Sequence, residues 1–188
     1  NLPVPAAQQG GISANLVIWT EITQLLTFSL FGVIADRIGR RQVYALGYLV
    51  LAVGYALYPF ATTTGELTLY RIVYALGISA TTCMLATVVS DYPQERSRGR
   101  MVAVVGMFNG LGVVLFAVIL GKLPRWLVDA GLDVVTAGRY TLCLIASVAA
   151  VSALVIATGL KPGLEVRHEE RPPVTQLLKA GFLAMRNP

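Results

Sequence analysis

Along this chain, long stretches without charge alternate with short clusters that hold nearly all of the ionisable residues. Residues 12–35 contain one charge, Glu21, and residues 42–65 contain none. Further charge-free stretches cover 72–90, 101–121 and 140–160. Each approaches the ~20 residues that cross a bilayer as a helix. Each also carries Leu, Val, Ala or Tyr at every helical angle instead of along one stripe. The pattern predicts transmembrane helices at about 12–35, 41–61, 66–89, 101–121 and 139–160. The expected fold class is all-α, a polytopic membrane bundle.

Polar positions inside the spans refine this picture. In the first span Glu21, Gln24, Phe28, Gly32 and Asp36 recur every three or four residues and share a face, with Thr20, Thr23 and Thr27 on a strip beside it. A face this polar is not expected to meet lipid. The tyrosines of the second span, Tyr44, Tyr48, Tyr55 and Tyr58, fall in one narrow sector. They form either a substrate-facing strip or packing and interfacial anchors. Gly106, Gly110, Ala117 and Gly121 give the fourth span a small-residue ridge suited to close helix contact. The fifth span has no ionisable group within it and is expected to be peripheral. Residues 1–11, interrupted by Pro3, Pro5 and two adjacent glycines, read as an external loop. Residues 62–65 read as a tight turn, and 123–138 as the longest external loop, with Trp126 and Leu127 resting on the membrane surface.

Composition agrees. Of the 188 residues 55% are hydrophobic and only 13% charged, where a soluble domain carries about a quarter charged. The net charge of +5 does not mark a nucleic-acid binder, because the basic residues punctuate the spans and form no stripe. Their distribution sets the orientation. Arg37, Arg40 and Arg41 lie in the first loop, Arg96, Arg98 and Arg100 in the third, and Lys161, Arg167, Arg171, Lys179 and Arg186 follow the last span. The opposite side has only Lys122, Arg125 and Arg139, with Asp129 and Asp133 beside them. The positive-inside bias then puts the loops at 36–41 and 91–100 and the C-terminus in the cytoplasm, in a plasma (inner) membrane. Residues 161–188 change character: prolines and a charged run make a linker. Val174, Leu177, Leu178, Gly181, Phe182 and Met185 then form the apolar stripe of a short amphipathic helix on the membrane surface.

Catalytic chemistry finds no constellation. His168 sits in the linker, Cys83 and Cys143 fall in separate spans, and no Cys/His cluster has metal spacing. Gly106-x-x-x-Gly110-x-Gly112 lacks the lysine and preceding strand of a phosphate loop. Neither an enzyme nor a cofactor is expected.

The first two spans meet at Gly32-Val33-Ile34-Ala35-Asp36-Arg37-Ile38-Gly39-Arg40-Arg41. Gly32 permits close helix approach, Gly39 can turn the chain through positive φ, and the arginines hold the loop in the cytoplasm. Asp36 faces the negative end of its own helix dipole and needs compensation. Gly32-x-x-x-Asp36-Arg37-x-Gly39-Arg40-Arg41 resembles the loop 2–3 signature of the major facilitator superfamily of secondary transporters. Leu67-x-x-x-Arg71-x-x-Tyr74-Ala75-x-Gly77 resembles the fourth-helix motif of that family, with Ala75 where glycine is common. Asp91, ahead of the run to Arg100, resembles the acid that joins the loop 2–3 charge cluster. The fifth helix departs from the drug exporters of the family: Gly110-Leu111-Gly112 has no proline until Pro124.

The resemblance implies an N-terminal-half fragment, helices two to six of a twelve-helix transporter, whose partners are the lipid bilayer, a small-molecule substrate and the missing C-terminal half. It implies alternating access, with Asp36, Arg37, Arg40 and Asp91 stabilising the outward-facing state; H+ is a candidate coupling ion. Ionisable groups inside a membrane are costly and functional by default, which singles out Glu21 and Arg71, with Gln24 and Tyr74 nearby. By height the two can pair or face one cavity, as substrate or coupling residues or as a structural ion pair near the outer interface. The rival from another class is a non-transporting receptor, sensor or assembly subunit on a similar bundle.

Overall fold

In a computed structural model, residues 6–91 and 98–160 are described. The linker and amphipathic helix expected at 161–188 and the side chain of Asp91 lie outside that description. The described residues form helices α1 (Ala6–Ile38), α2 (Arg40–Leu57), α3 (Thr64–Asp91), α4 (Arg98–Asp129) and α5 (Val134–Gly159). A single 3-10 turn at Tyr58–Phe60 extends α2. All five helices are long and apolar enough to cross a membrane.

Successive helices run in opposite directions, and α3 packs against both α2 and α1, while α2 also packs along α5. The α1–α2 hinge and the ends of α3 and α5 meet at one end of the bundle, where Ala35, Val43, Tyr44, Cys83 and Met84 form a small buried cluster. The turn after α2 and the starts of α3 and α5 lie at the opposite end, which Thr62, Thr63 and Glu66 secure. Glu66 Oε2 accepts from the Thr62 amide (2.8 Å), the Thr62 hydroxyl (2.8 Å) and the Thr63 amide (3.2 Å), while the Glu66 amide donates to Thr63 Oγ1. This is a reciprocal capping box.

Most large apolar side chains point outward; Leu25 is 81% exposed and Phe108 65%. In water that surface would be a liability, whereas hydrocarbon is its natural solvent.

Three expectations change. α1 starts at Ala6, so Gly10 and Gly11 are helical and not in a loop. The long loop expected at 123–138 shrinks to residues 130–133, because α4 continues through Pro124 to Asp129. A helix bordered by lipid tolerates one missing N–H. It closes instead at Gly131 (φ +96°), where Leu132 N donates to Leu127 O and Gly131 N to Val128 O, a Schellman closure. Asp133 then caps α5 by accepting from the Val135 amide.

The third change concerns packing. Buried Ala137, Thr141, Ala146, Ala149 and Ala153 line up on α5, so this helix, expected to be peripheral, seats a small-residue face in the bundle. The ridge on α4 is the loose one: a Cβ added at Gly106, Gly110 or Gly121 would have nothing within 4 Å. Cys143 also lies on an exposed face, unlike buried Cys83.

Candidate functional site

At the hinge the chain reverses on Gly39, whose φ of +107° is accessible to glycine and strained for other residues. Its amide donates to Ala35 O (2.9 Å), and its carbonyl accepts from Val43 N (3.2 Å). The arginines divide. Arg40 Nη2 lies 3.9 Å from Asp36 Oδ1, across one helical turn, with Asp36 61% exposed. A pair so open to solvent contributes under ~1 kcal/mol of stability. Arg41 turns to α5, its Nη1 donating to Leu160 O at 3.3 Å. A cation there complements the negative end of that helix dipole. Arg37 is exposed, and Asp91 is the last residue of α3, at the same end of the bundle. Gly32 is half-buried, but a Cβ there would meet only Cys83 Sγ at 3.9 Å. It is therefore not the point of closest approach.

That point lies between α2 and α3, and the sequence reading missed it. A Cβ on Gly77 would fall 2.5 Å from Leu51 N, one on Gly54 2.8 Å from Tyr74 Cα, and one on Gly47 2.9 Å from Ala80 Cβ. The signal was the seven-residue spacing of Gly47 and Gly54, which keeps both on one face.

Toward the other end, Arg71 enters the bundle. Its Nε donates to Thr20 Oγ1 (2.8 Å) and its Nη1 to the Tyr58 hydroxyl (3.5 Å), and its guanidinium carbon lies 4.7 Å from the centre of the Tyr74 ring. That distance is a cation–π contact. Tyr74 stands edge-on to Tyr55, centroids 5.1 Å apart. The tyrosine sector of α2 therefore splits: Tyr44 and Tyr48 pack together near the hinge (5.4 Å), whereas Tyr55 and Tyr58 converge on the arginine.

Arg71 does not meet Glu21. Glu21 is exposed, and the arginine goes to its neighbour Thr20, which is buried. One residue is a 100° step around a helix, so the threonine strip, not the glutamate face, meets α3. Thr27 continues that contact, donating to Ser79 Oγ at 3.0 Å, with Ser79 fully buried. Gln24 is half-buried on α1. A cleft of about 500 Å³ opens near this end, lined among others by Ser13, Leu16, Tyr58, Leu67 and Arg139. Tyr58 belongs to both the cleft and the Arg71 cluster.

Long apolar helices, a charged glycine hinge at one end and an arginine held inside the bundle define an integral multi-pass membrane protein. The chain belongs to the Major Facilitator Superfamily, whose family model matches residues 2–188. It is similar to the magnetosome protein MamH of Paramagnetospirillum magneticum, 28% identical over 61% of this chain and 28% of that protein. It is also similar to a probable inorganic phosphate transporter of Arabidopsis thaliana, 31% identical over 54% of this chain and 20% of that protein. A putative niacin/nicotinamide transporter of Bacillus subtilis is 30% identical over 48% of this chain and 22% of its own length. The chain thus spans less than a third of each of these relatives. No solved structure matches it.

Proposed function

We propose that this chain forms part of the N-terminal half of a secondary transporter that moves a small solute across a membrane by alternating access. The hinge carries the reading: a glycine-turned clasp of Asp36 and Arg40, inside a chain of this family, shares one end of the bundle with the terminus of α3. Its arginines support a cytoplasmic position through the positive-inside bias. There Asp36, Arg37, Arg40 and Asp91 hold the inner end shut in the outward-facing state, with Gly32, Gly39 and Arg41 shaping and anchoring the loop. The path passes the α1 and α3 faces that carry Glu21, Gln24, Arg71 and Tyr74, and a second half of the transporter completes it. The names of two relatives, which specify inorganic phosphate and niacin/nicotinamide, supply a first substrate panel.

The test is counterflow of labelled phosphate and nicotinate in proteoliposomes holding the full-length protein that carries this chain, with and without an imposed proton gradient. Solute exchange is expected. Asp36→Asn is expected to cut its rate about tenfold or more while thermal stability shifts by under ~1 kcal/mol, since the exposed pair adds little to stability. A membrane-impermeant thiol reagent is expected to reach Arg37→Cys only from the cytoplasmic side. Full exchange by Asp36→Asn, or labelling from outside, overturns the gate. Absence of exchange across a broad solute panel overturns transport and returns the receptor or assembly-subunit reading.

A further inference from the structure

Arg71 lies seven residues after Thr64, the first residue of α3, which places its backbone roughly 10 Å into the span at ~1.5 Å per residue. A charge at that depth is costly, and intramembrane arginines ordinarily pair with an acid. This one pairs with none among the described residues. Glu66 is occupied by Thr62 and Thr63, and Glu21 is exposed on α1. Its partners are two hydroxyls and a ring, all neutral.

The arrangement also leaves one edge of the guanidinium open. The Thr20 hydroxyl spends its one proton on Leu16 O at 2.8 Å and accepts from Arg71 Nε. It therefore fixes the orientation of the fork and has no donor left for an anion. The Tyr74 ring lies beneath one face of the guanidinium. The Nη pair remains, with only a long 3.5 Å contact from Nη1 to Tyr58. A planar pair of N–H donors matches two oxygens of one oxyanion, and the Tyr58 hydroxyl beside it can donate to the same group.

We propose that Arg71 is the docking point for the oxyanion of a small anionic solute, carboxylate or phosphate, with Tyr58 as a second donor and Thr20 as a positioning residue. The inference rests on the transport reading above and names the substrate class for it. An anion here compensates a half-buried charge that no acid among the described residues meets, whereas a cation is repelled by it.

The experiment is equilibrium binding of labelled inorganic phosphate and labelled benzoate to the full-length protein in detergent, with choline and glucose as competitors; the label retained tells phosphate from carboxylate. One anion is expected to bind and to resist both competitors. Arg71→Gln is expected to weaken it about tenfold or more, with Arg71→Lys between the two because a point charge replaces the fork. Tyr58→Phe, which keeps the arginine and the fold, is expected to weaken it about threefold through one lost donor. Thr20→Val is expected to weaken the anion that binds by freeing the fork. Binding unchanged in Arg71→Gln, or in Tyr58→Phe should the former not fold, overturns the proposal, as does displacement by choline or glucose or binding of neither anion. Counterflow of a neutral solute that ignores Arg71 would sink this inference and leave transport standing; loss of all counterflow would sink the reading beneath it.

Discussion

Replacing Gly77 by alanine tests the packing of α2 on α3. The added methyl carbon would sit 2.5 Å from Leu51 N and 2.7 Å from Leu51 Cα. Both are backbone atoms, so no side chain can rotate aside. Restoring an ordinary 3.4 Å contact requires the helices to part by about 0.9 Å, and that displacement also loosens the contacts at Gly47 and Gly54. Overpacking of this kind costs about 3 kcal/mol at the upper end of its usual range. Alanine's better helix propensity returns about 1 kcal/mol, leaving about 2 kcal/mol of destabilisation. For a chain of this size that lowers the melting temperature by about 4–8 °C. A thiol-reactive dye reads it directly, because Cys83 is buried on α3 while Cys143 is exposed and reacts from the start. Gly106→Ala is the matched control, since a Cβ there has nothing within 4 Å; it is expected to melt at or slightly above the parent. Equal melting of Gly77→Ala and the parent would refute the close approach, and so would a larger loss from Gly106→Ala.

Other substitutions probe single contacts. Glu66→Ala removes the acceptor of three hydrogen bonds at the start of α3 and is expected to lower the melting temperature in the same dye assay, whereas Glu66→Gln, which keeps an acceptor, lowers it less. A double-mutant cycle of Thr27→Val and Ser79→Ala should return a coupling of about 0.6 kcal/mol, the usual size of a hydroxyl bond between membrane helices; purely additive losses would mean no bond. Gly39→Ala places a side chain at φ +107° and is expected to cost about 1–3 kcal/mol of strain. An alanine variant with parental melting would show that the hinge turns differently.

The spans were legible because absence of charge over some twenty residues is a one-dimensional signal that needs no partner. The hinge was legible for a similar reason: Gly39 and the arginines act where they stand. Packing was not. Periodicity says that Gly106 and Gly110 share a face, but whether another helix covers it depends on a neighbour the pattern does not name. The α5 stripe of Ala137, Ala146, Ala149 and Ala153 was hidden by its plainness, since alanine suits lipid, helix and interface alike. The fourth span was expected to stop with the charge-free stretch at Gly121, while α4 runs on through Pro124 to Asp129 and closes at Gly131. The pairing of Arg71 failed by one position. Height along the helices let Glu21 pair with it or face the same cavity, and helix rotation delivered Thr20 as its direct partner.

Where Gly54 and Gly77 press main chain on main chain, no flexible layer remains to absorb a shift. α2 and α3 therefore behave as one stiff plank, with the Asp36–Arg40 clasp beside one tip and the Arg71 cluster toward the other. A tilt of one helix carries the other with it, so on the transport reading proposed above, filling the arginine's open edge and releasing the clasp are two readings of a single movement.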